Sequence, residues 1–124
     1  MQEAGYGFSR ARLRDHPTVY VDGLFSGKTV VVTGAGGGLG LAIATLFARL
    51  GADLAINGRN PEKLEEAAKF LRGFGGQVLA HPMTIRDPEQ VESFVDGVGH
   101  HFGGFDILVN NAGGQFPQPA LDYT

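Results

Sequence analysis

Between Thr33 and Gly40 the sequence reads Thr-Gly-Ala-Gly-Gly-Gly-Leu-Gly, five glycines in eight residues. A run of this kind suits the binding of phosphate. Gly34 permits a tight turn, Gly38 removes a side chain where backbone must approach a pyrophosphate, and Gly40 lets a following helix pack close to a strand. The free N–H groups and partial positive charge at the start of that helix then face the phosphates. No Lys-Ser/Thr pair follows the glycines. That argues against a nucleoside triphosphatase loop, which needs the lysine on the terminal phosphates and the hydroxyl on magnesium. A glycine-rich connector without a ligand is the alternative reading.

A second candidate lies in Ile56-Asn57-Gly58-Arg59-Asn60. Roughly 20 residues beyond a phosphate-binding glycine loop, a carboxylate bonds a ribose 2′-hydroxyl, whereas an arginine accommodates a 2′-phosphate. No carboxylate stands at this place, because Asp53 comes too early. The guanidinium of Arg59 can bind phosphate with two parallel hydrogen bonds. Its alternative is a solvated arginine on a loop.

These residues need a scaffold, and the chain spells one out. Thr29-Val30-Val31-Val32 is a β-branched run ending in glycines, a buried strand. Leu39, Ile43, Leu46, Phe47 and Leu50 recur at the spacing of one helix face, and Gly51 ends that helix. Asp53 to Asn57 reads as a second strand. Asn60 is placed as an N-cap with Pro61 at the first helical position, and Leu64, Ala67, Ala68 and Leu71 form the apolar face that follows. Gly73 to Gly76 break this helix, and Gln77 to Ala80 make a third strand. Asp87-Pro88-Glu89-Gln90 combines an N-cap, a first-turn proline and a capping-box glutamine. Val91, Phe94, Val95, Val98 and Phe102 continue at helical spacing, and Ile107 to Asn110 is a fourth strand. The order β-α-β-α-β-α-β predicts an α/β fold with a parallel sheet, because parallel neighbours need crossover connections. Residues 1–27 show no sustained period and read as an irregular extension, packing through Val19, Val21, Leu24 and Phe25.

Composition agrees with one ordinary globular unit. Hydrophobic residues make up 43% of the 124, charged residues 19%, and the net charge is −3. Acidic and basic residues are interspersed, so nothing marks a nucleic-acid or membrane partner. The chain has no cysteine, which excludes disulfides, thiolate metal sites and a cysteine nucleophile. Four scattered histidines do not suggest a metal site either. No apolar run approaches the ~20 residues that span a bilayer. The N-terminus has no apolar core of a signal peptide. The expectation is a soluble, cytoplasmic protein. Twenty glycines, about 16% against an average of ~7%, cluster between apolar segments where turns belong.

The pattern Thr-Gly-x-x-x-Gly-x-Gly resembles the glycine motif of the short-chain dehydrogenase/reductase family. Asn110-Asn111-Ala112-Gly113, after a strand starting at Asp106, is similar to that family's second signature. The resemblance covers Gly27 to about Gly114. It implies a partial Rossmann fold, residues 28–124 forming its NAD(P)-binding part, with the sheet stopping after the fourth strand. It implies cofactor contacts from Gly34, Gly36, Gly37, Gly38, Leu39 and Gly40. It adds Arg59 and Asn60 at the second strand, Thr84 and Ile85 after the third, and Asn111, Ala112 and Gly113 after the fourth. NADP(H) is preferred because of Arg59, with NAD(H) possible. Family members carry Asp and an aliphatic residue where Thr84 and Ile85 stand, so the adenine contact is weakened or lost here. Asp87 could substitute for it, but its place before Pro88 favours an N-cap. Asn111 has two readings, a cofactor contact and a purely structural asparagine.

The family's catalytic serine, and its tyrosine four residues before a lysine, have no counterpart in these residues. Tyr6, Tyr20 and Tyr123 are not followed by such a lysine, and Lys28, Lys63 and Lys69 all precede the fourth strand. No catalytic residue is assigned. The expected function is that of an NADP(H)-dependent oxidoreductase passing hydride to or from a carbonyl, alcohol or enoyl substrate, on an incomplete chain. The alternatives are a non-catalytic dinucleotide-binding module and a truncated fragment without function. Gly23 to Lys28 and Gly114-Gln115-Phe116-Pro117 resemble a subgroup acting on acyl-CoA thioesters or on long-chain and terpenoid alcohols. The second of these segments reads more readily as a Pro-containing connector. A full-length form is expected to be a homo-oligomer, and the chain alone to be poorly soluble or partly unfolded.

Overall fold

The computed structural model describes residues 7–113. Its elements run α1 (Arg10–Asp15), β1 (Thr29–Val32), α2 (Gly38–Arg49), β2 (Asp53–Gly58), α3 (Pro61–Arg72), β3 (Val78–Pro82), α4 (Pro88–Phe102) and β4 (Ile107–Val109). The four strands form one parallel sheet in the order β3-β2-β1-β4. Val32 pairs with Ile56 on one side and with Val109 on the other, so β1, β2 and β4 end nearly level. After β3 the chain crosses back over the sheet to place β4 beside β1. The strand order therefore reverses at β1, and the crevice at the carboxyl ends of β1 and β4 is where open α/β sheets bind ligands.

Helices cover both faces, as parallel strands require. Val30, Val32, Leu54 and Ile56 face α2 and α3 and meet Ala44, Ala48, Leu64, Ala67 and Leu71. Val31 and Ala55 face α4 and meet Met83, Phe94 and Val98. Full burial of Leu64 and of Leu71 contributes about 1.5–3 kcal/mol each. The helix starts are chemically marked. Asn60 Oδ1 accepts from the N–H groups of Glu62 and Lys63, each at 3.1 Å, ahead of Pro61. Asp87 Oδ1 accepts from Glu89 N at 3.0 Å, ahead of Pro88. Gln90 does not close a capping box. Its Oε1 accepts from Thr84 N at 3.1 Å and its Nε2 donates to Asp87 Oδ2 at 2.9 Å, which ties the end of β3 to the start of α4.

Three expectations need correction. The buried face of α2 is Gly40, Leu41, Ala44, Thr45 and Ala48, and Leu39 is 70% exposed. The large residues Ile43 and Phe47 sit on a flank, half-buried, where Phe25 stacks edge-on against Phe47 at 4.9 Å. Apolar spacing alone pointed to the bulky stripe. Close approach to the sheet selects the stripe of small residues instead. The extension is not wholly irregular, because Ser9 caps α1 and Arg49 Nη1 donates to Leu13 O at 3.0 Å. With six residues, α1 is too short to show a period. Within the extension Phe25 packs, while Val19, Val21 and Leu24 are exposed. The strands also shift slightly: β2 runs on to Gly58, β3 starts at Val78 and runs on to Pro82, and β4 ends at Val109.

Candidate functional site

The glycine loop is held in place by its neighbours on both sides. Gly34 has φ +67, a conformation that side chains disfavour, and it turns the chain sharply out of β1. On the β2 side, Gly34 N donates to Asn57 Oδ1 and Ala35 N donates to Asn57 O, both at 3.0 Å. On the β4 side, Thr33 N donates to Val109 O at 3.1 Å. The Thr33 hydroxyl accepts from Asn111 N at 3.0 Å and from Ala112 N at 2.9 Å. Asn111 Nδ2 donates to Thr33 O at 3.1 Å and to Gly34 O at 3.2 Å. These bonds clasp the loop to the end of β4. Gly40 lies beneath: a Cβ there would collide with Gly34 O and stand 2.6 Å from Asn111 Nδ2. Only glycine lets α2 start this close to the turn. Above, Gly38 (φ +56) has nothing within 4 Å of a Cβ position, so its backbone is open to a ligand.

Beside the loop is a cleft of about 260 Å³. Gly34, Asn57 to Arg59, Met83 to Arg86 and Asn111 to Gly113 line it. Pockets for whole drug-sized ligands run from about 300 to 1,000 Å³, so this one fits one end of a dinucleotide. Its described lining residues include two guanidinium groups, Arg59 and Arg86, and no carboxylate. Neither arginine takes part in the ion pairs found among the described residues. Asp87, next in sequence, turns away to cap α4 and bond Gln90. Thr84 Oγ1 accepts from Arg86 N at 3.3 Å, and its own proton remains free to donate. Ile85 is 44% exposed and offers an apolar surface at the rim. Among the described residues no tyrosine, histidine or lysine lines the cleft, and those that do line it can hold an anion and a flat ring.

The structure thus gathers Gly34, Arg59, Thr84, Ile85, Asn111, Ala112 and Gly113 around one space. Asn60 borders it in a shallow groove shared with Arg59, but its side-chain oxygen is engaged as the cap of α3. Gly36, Gly37, Gly38 and Leu39 form the neighbouring rim, and Gly40 is buried below it. Contributors that escaped the sequence reading are Thr33, Asn57, Gly58, Met83 and Arg86. Asn57 left a signal, a polar residue closing the apolar run Leu54-Ala55-Ile56; it is 2% exposed. Thr33 opens the glycine motif, and nothing in its type announces a bond to a strand that follows over seventy residues later. Arg86 follows the pair read as an adenine contact. The segment Gly114 to Pro117, and Tyr6 and Tyr123, lie outside the described residues. No helix among the described residues is long and apolar enough to cross a membrane.

Comparison with known proteins places this geometry. A family model described as short chain dehydrogenase matches residues 28–124. A probable 2,4-dienoyl-CoA reductase from Caenorhabditis elegans is 47% identical over 97 residues, covering 77% of this chain and 31% of that protein. L-sorbose reductase from Gluconobacter frateurii, solved with NADPH and L-sorbose, superposes with a TM-score of 0.77 at 41% identity, over 84% of this chain and 40% of that one. An NAD+-bound xylitol dehydrogenase superposes at 0.75 and 39% identity, over 82% and 39%. The chain therefore spans about a third of the length of the curated relatives it matches. Fold, glycine loop, Asn-Asn-Ala-Gly turn and family model coincide over the same residues, and the chain belongs to the short chain dehydrogenase family.

Proposed function

We propose that the cleft takes the adenosine end of NADP(H), and that the protein serves an oxidoreductase passing hydride between the nicotinamide and a carbonyl, alcohol or activated alkene. The observation that carries the cofactor reading is the pair of guanidinium groups after β2 and β3, with no carboxylate among the described lining residues of the cleft. A carboxylate there would bond a 2′-hydroxyl and repel a 2′-phosphate, whereas arginine welcomes the phosphate. When bound, the nicotinamide supplies the hydride chemistry. The residues of this chain position it. Gly38 and the start of α2 present N–H groups to the pyrophosphate. Arg59 takes the 2′-phosphate. Thr84 and Ile85 border the adenine, and the small residues Ala112 and Gly113 permit close approach of the cofactor. Asn111 acts through the clasp with its side-chain nitrogen, and it borders the cleft where its side-chain oxygen can accept from a ribose hydroxyl.

The relatives named for dienoyl-CoA, sorbose and xylitol chemistry support a substrate with a carbonyl, hydroxyl or conjugated alkene. Within that range we favour an acyl-CoA or a long-chain alcohol. A second reading, a dinucleotide-binding module without turnover, is favoured by one observation: among the described residues the cleft is lined by no tyrosine, histidine, lysine or carboxylate. Binding of NADPH by the 124-residue chain with no oxidation of it in the presence of carbonyl or enoyl-CoA substrates would support that reading.

Arg59→Asp tests the cofactor assignment. A charge-assisted hydrogen bond contributes about 1.5–3 kcal/mol, so NADPH affinity should fall roughly 10- to 100-fold while NADH affinity holds or rises. Fluorescence titration with both cofactors reads the ratio. Equal loss for both would remove Arg59 from this role.

A further inference from the structure

The glycine loop has no cation of its own, yet one reaches it from another element. Lys63 stands in the first turn of α3, which Asn60 caps through Glu62 N and Lys63 N. Its side chain crosses to the loop. A Cβ built on Gly37 would lie 3.7 Å from Lys63 Nζ and 3.9 Å from Lys63 Cε, and a Cβ on Gly36 would lie 3.9 Å from Lys63 Cβ. The stem therefore passes along Gly36 and delivers the ammonium beside Gly37. No side chain of the loop competes for this space, because Gly34 to Gly38 contribute only the buried methyl of Ala35. Among the described residues Lys63 forms no ion pair.

We infer that Lys63 is a second ligand of the ribose 2′-phosphate, facing Arg59 across it. The inference rests on the NADP(H) reading above. Arg59 stands in the turn between β2 and α3 and Lys63 in the first turn of α3, so a phosphate held by both lies between that turn and Gly36–Gly37. The pyrophosphate, by contrast, belongs over Gly38 and the N-terminus of α2. A phosphate monoester carries about −1.5 to −2 charges at neutral pH, more than Arg59 alone offsets, and the Lys63 ammonium adds a charge from the side of the loop, away from Arg86 after β3. The groups also divide the task. Arginine offers a planar fork and fixes direction, while lysine offers a mobile point charge. The all-glycine loop leaves room for a lysine stem that a larger side chain at position 36 or 37 would obstruct.

The test is a titration of the full chain and of Lys63→Met and Lys63→Arg with NADPH, NADH, adenosine 2′,5′-bisphosphate and AMP. Lys63→Met should weaken NADPH and the bisphosphate about 5- to 20-fold and leave NADH and AMP within about 2-fold. Lys63→Arg should recover most of the loss. Because Lys63 is exposed, the unfolding midpoint should not move. Equal weakening of NADH, or unchanged NADPH binding, would overturn the assignment of Lys63. If Arg59→Asp loses NADPH selectively and Lys63→Met does not, Lys63 alone falls. If the unaltered protein shows no preference for NADPH over NADH, the cofactor reading falls and this inference with it.

Discussion

Gly40→Ala adds one methyl group, and its cost can be worked out contact by contact. Position 40 is the third residue of α2. On an exposed helix this substitution stabilises by about 1 kcal/mol, because alanine is the better helix former. Here the new Cβ would strike Gly34 O and stand 2.6 Å from Asn111 Nδ2 and 2.8 Å from Gly34 C. Two of these atoms are backbone, pinned by β2 on one side and β4 on the other, and only the Asn111 side chain can yield. Overpacking of this kind costs about 1–3 kcal/mol. The displaced Asn111 amide also loses its bonds to Thr33 O and Gly34 O, about 1 kcal/mol each. The net expectation is a loss of about 2–4 kcal/mol, a large share of the roughly 5–15 kcal/mol that stabilises a domain. Urea unfolding followed by far-UV circular dichroism measures it. With a slope near 2 kcal/mol/M the midpoint should fall by about 1 M or more. Gly38→Ala is the control: its φ of +56 is strained for alanine, but no atom lies within 4 Å, so only about 1–2 kcal/mol is at stake. A Gly40→Ala midpoint equal to or above that of the unaltered protein would refute the packing argument.

Two further outcomes follow from the same contacts. Thr33→Val keeps the shape of the side chain but leaves Asn111 N and Ala112 N without their acceptor. It should destabilise by about 2–4 kcal/mol and weaken NADPH and NADH alike, as read by the same unfolding and titration experiments. On the α4 side of the sheet Val95, Phe105 and Leu108 are each 41–49% exposed beside the unpaired edge of β4. The 124-residue chain on its own should therefore scatter light increasingly with concentration, and a monomer with a concentration-independent thermal transition would contradict this.

Element identity was legible wherever local chemistry decided it. Asn60-Pro61 and Asp87-Pro88 start helices because a side-chain acceptor precedes a residue that needs no donor, and both were readable from sequence alone. The face of α3 was equally plain, since Leu64, Ala67, Ala68 and Leu71 are all buried. The face of α2 misled, because its orientation is decided by how near Gly40 can come to Gly34, a contact across the fold that hydrophobic spacing does not encode. The site divides the same way. Gly34 and Gly40 announce themselves by type. Thr33 and Asn57 act through partners on other strands, and a threonine or asparagine at a strand end has many local uses. Lys63 belongs to this second group. It reads as a surface lysine on a helix until α3 is laid against the loop.

The position of β1 has a consequence for how the molecule opens. Strand β1 is bonded on both sides and buried on both faces, whereas β4 has one neighbour among the described residues and is only partly covered. Amide hydrogens of β1 should exchange with solvent only through global unfolding, while those of β4 exchange through a smaller, local opening. The clasp of Thr33 to Asn111 and Ala112 spans the boundary between these two units. A ligand seated against both Gly34 and Ala112 would slow the exchange of β4 amides selectively, so occupancy of the cleft becomes visible as protection at a strand whose side chains do not line it.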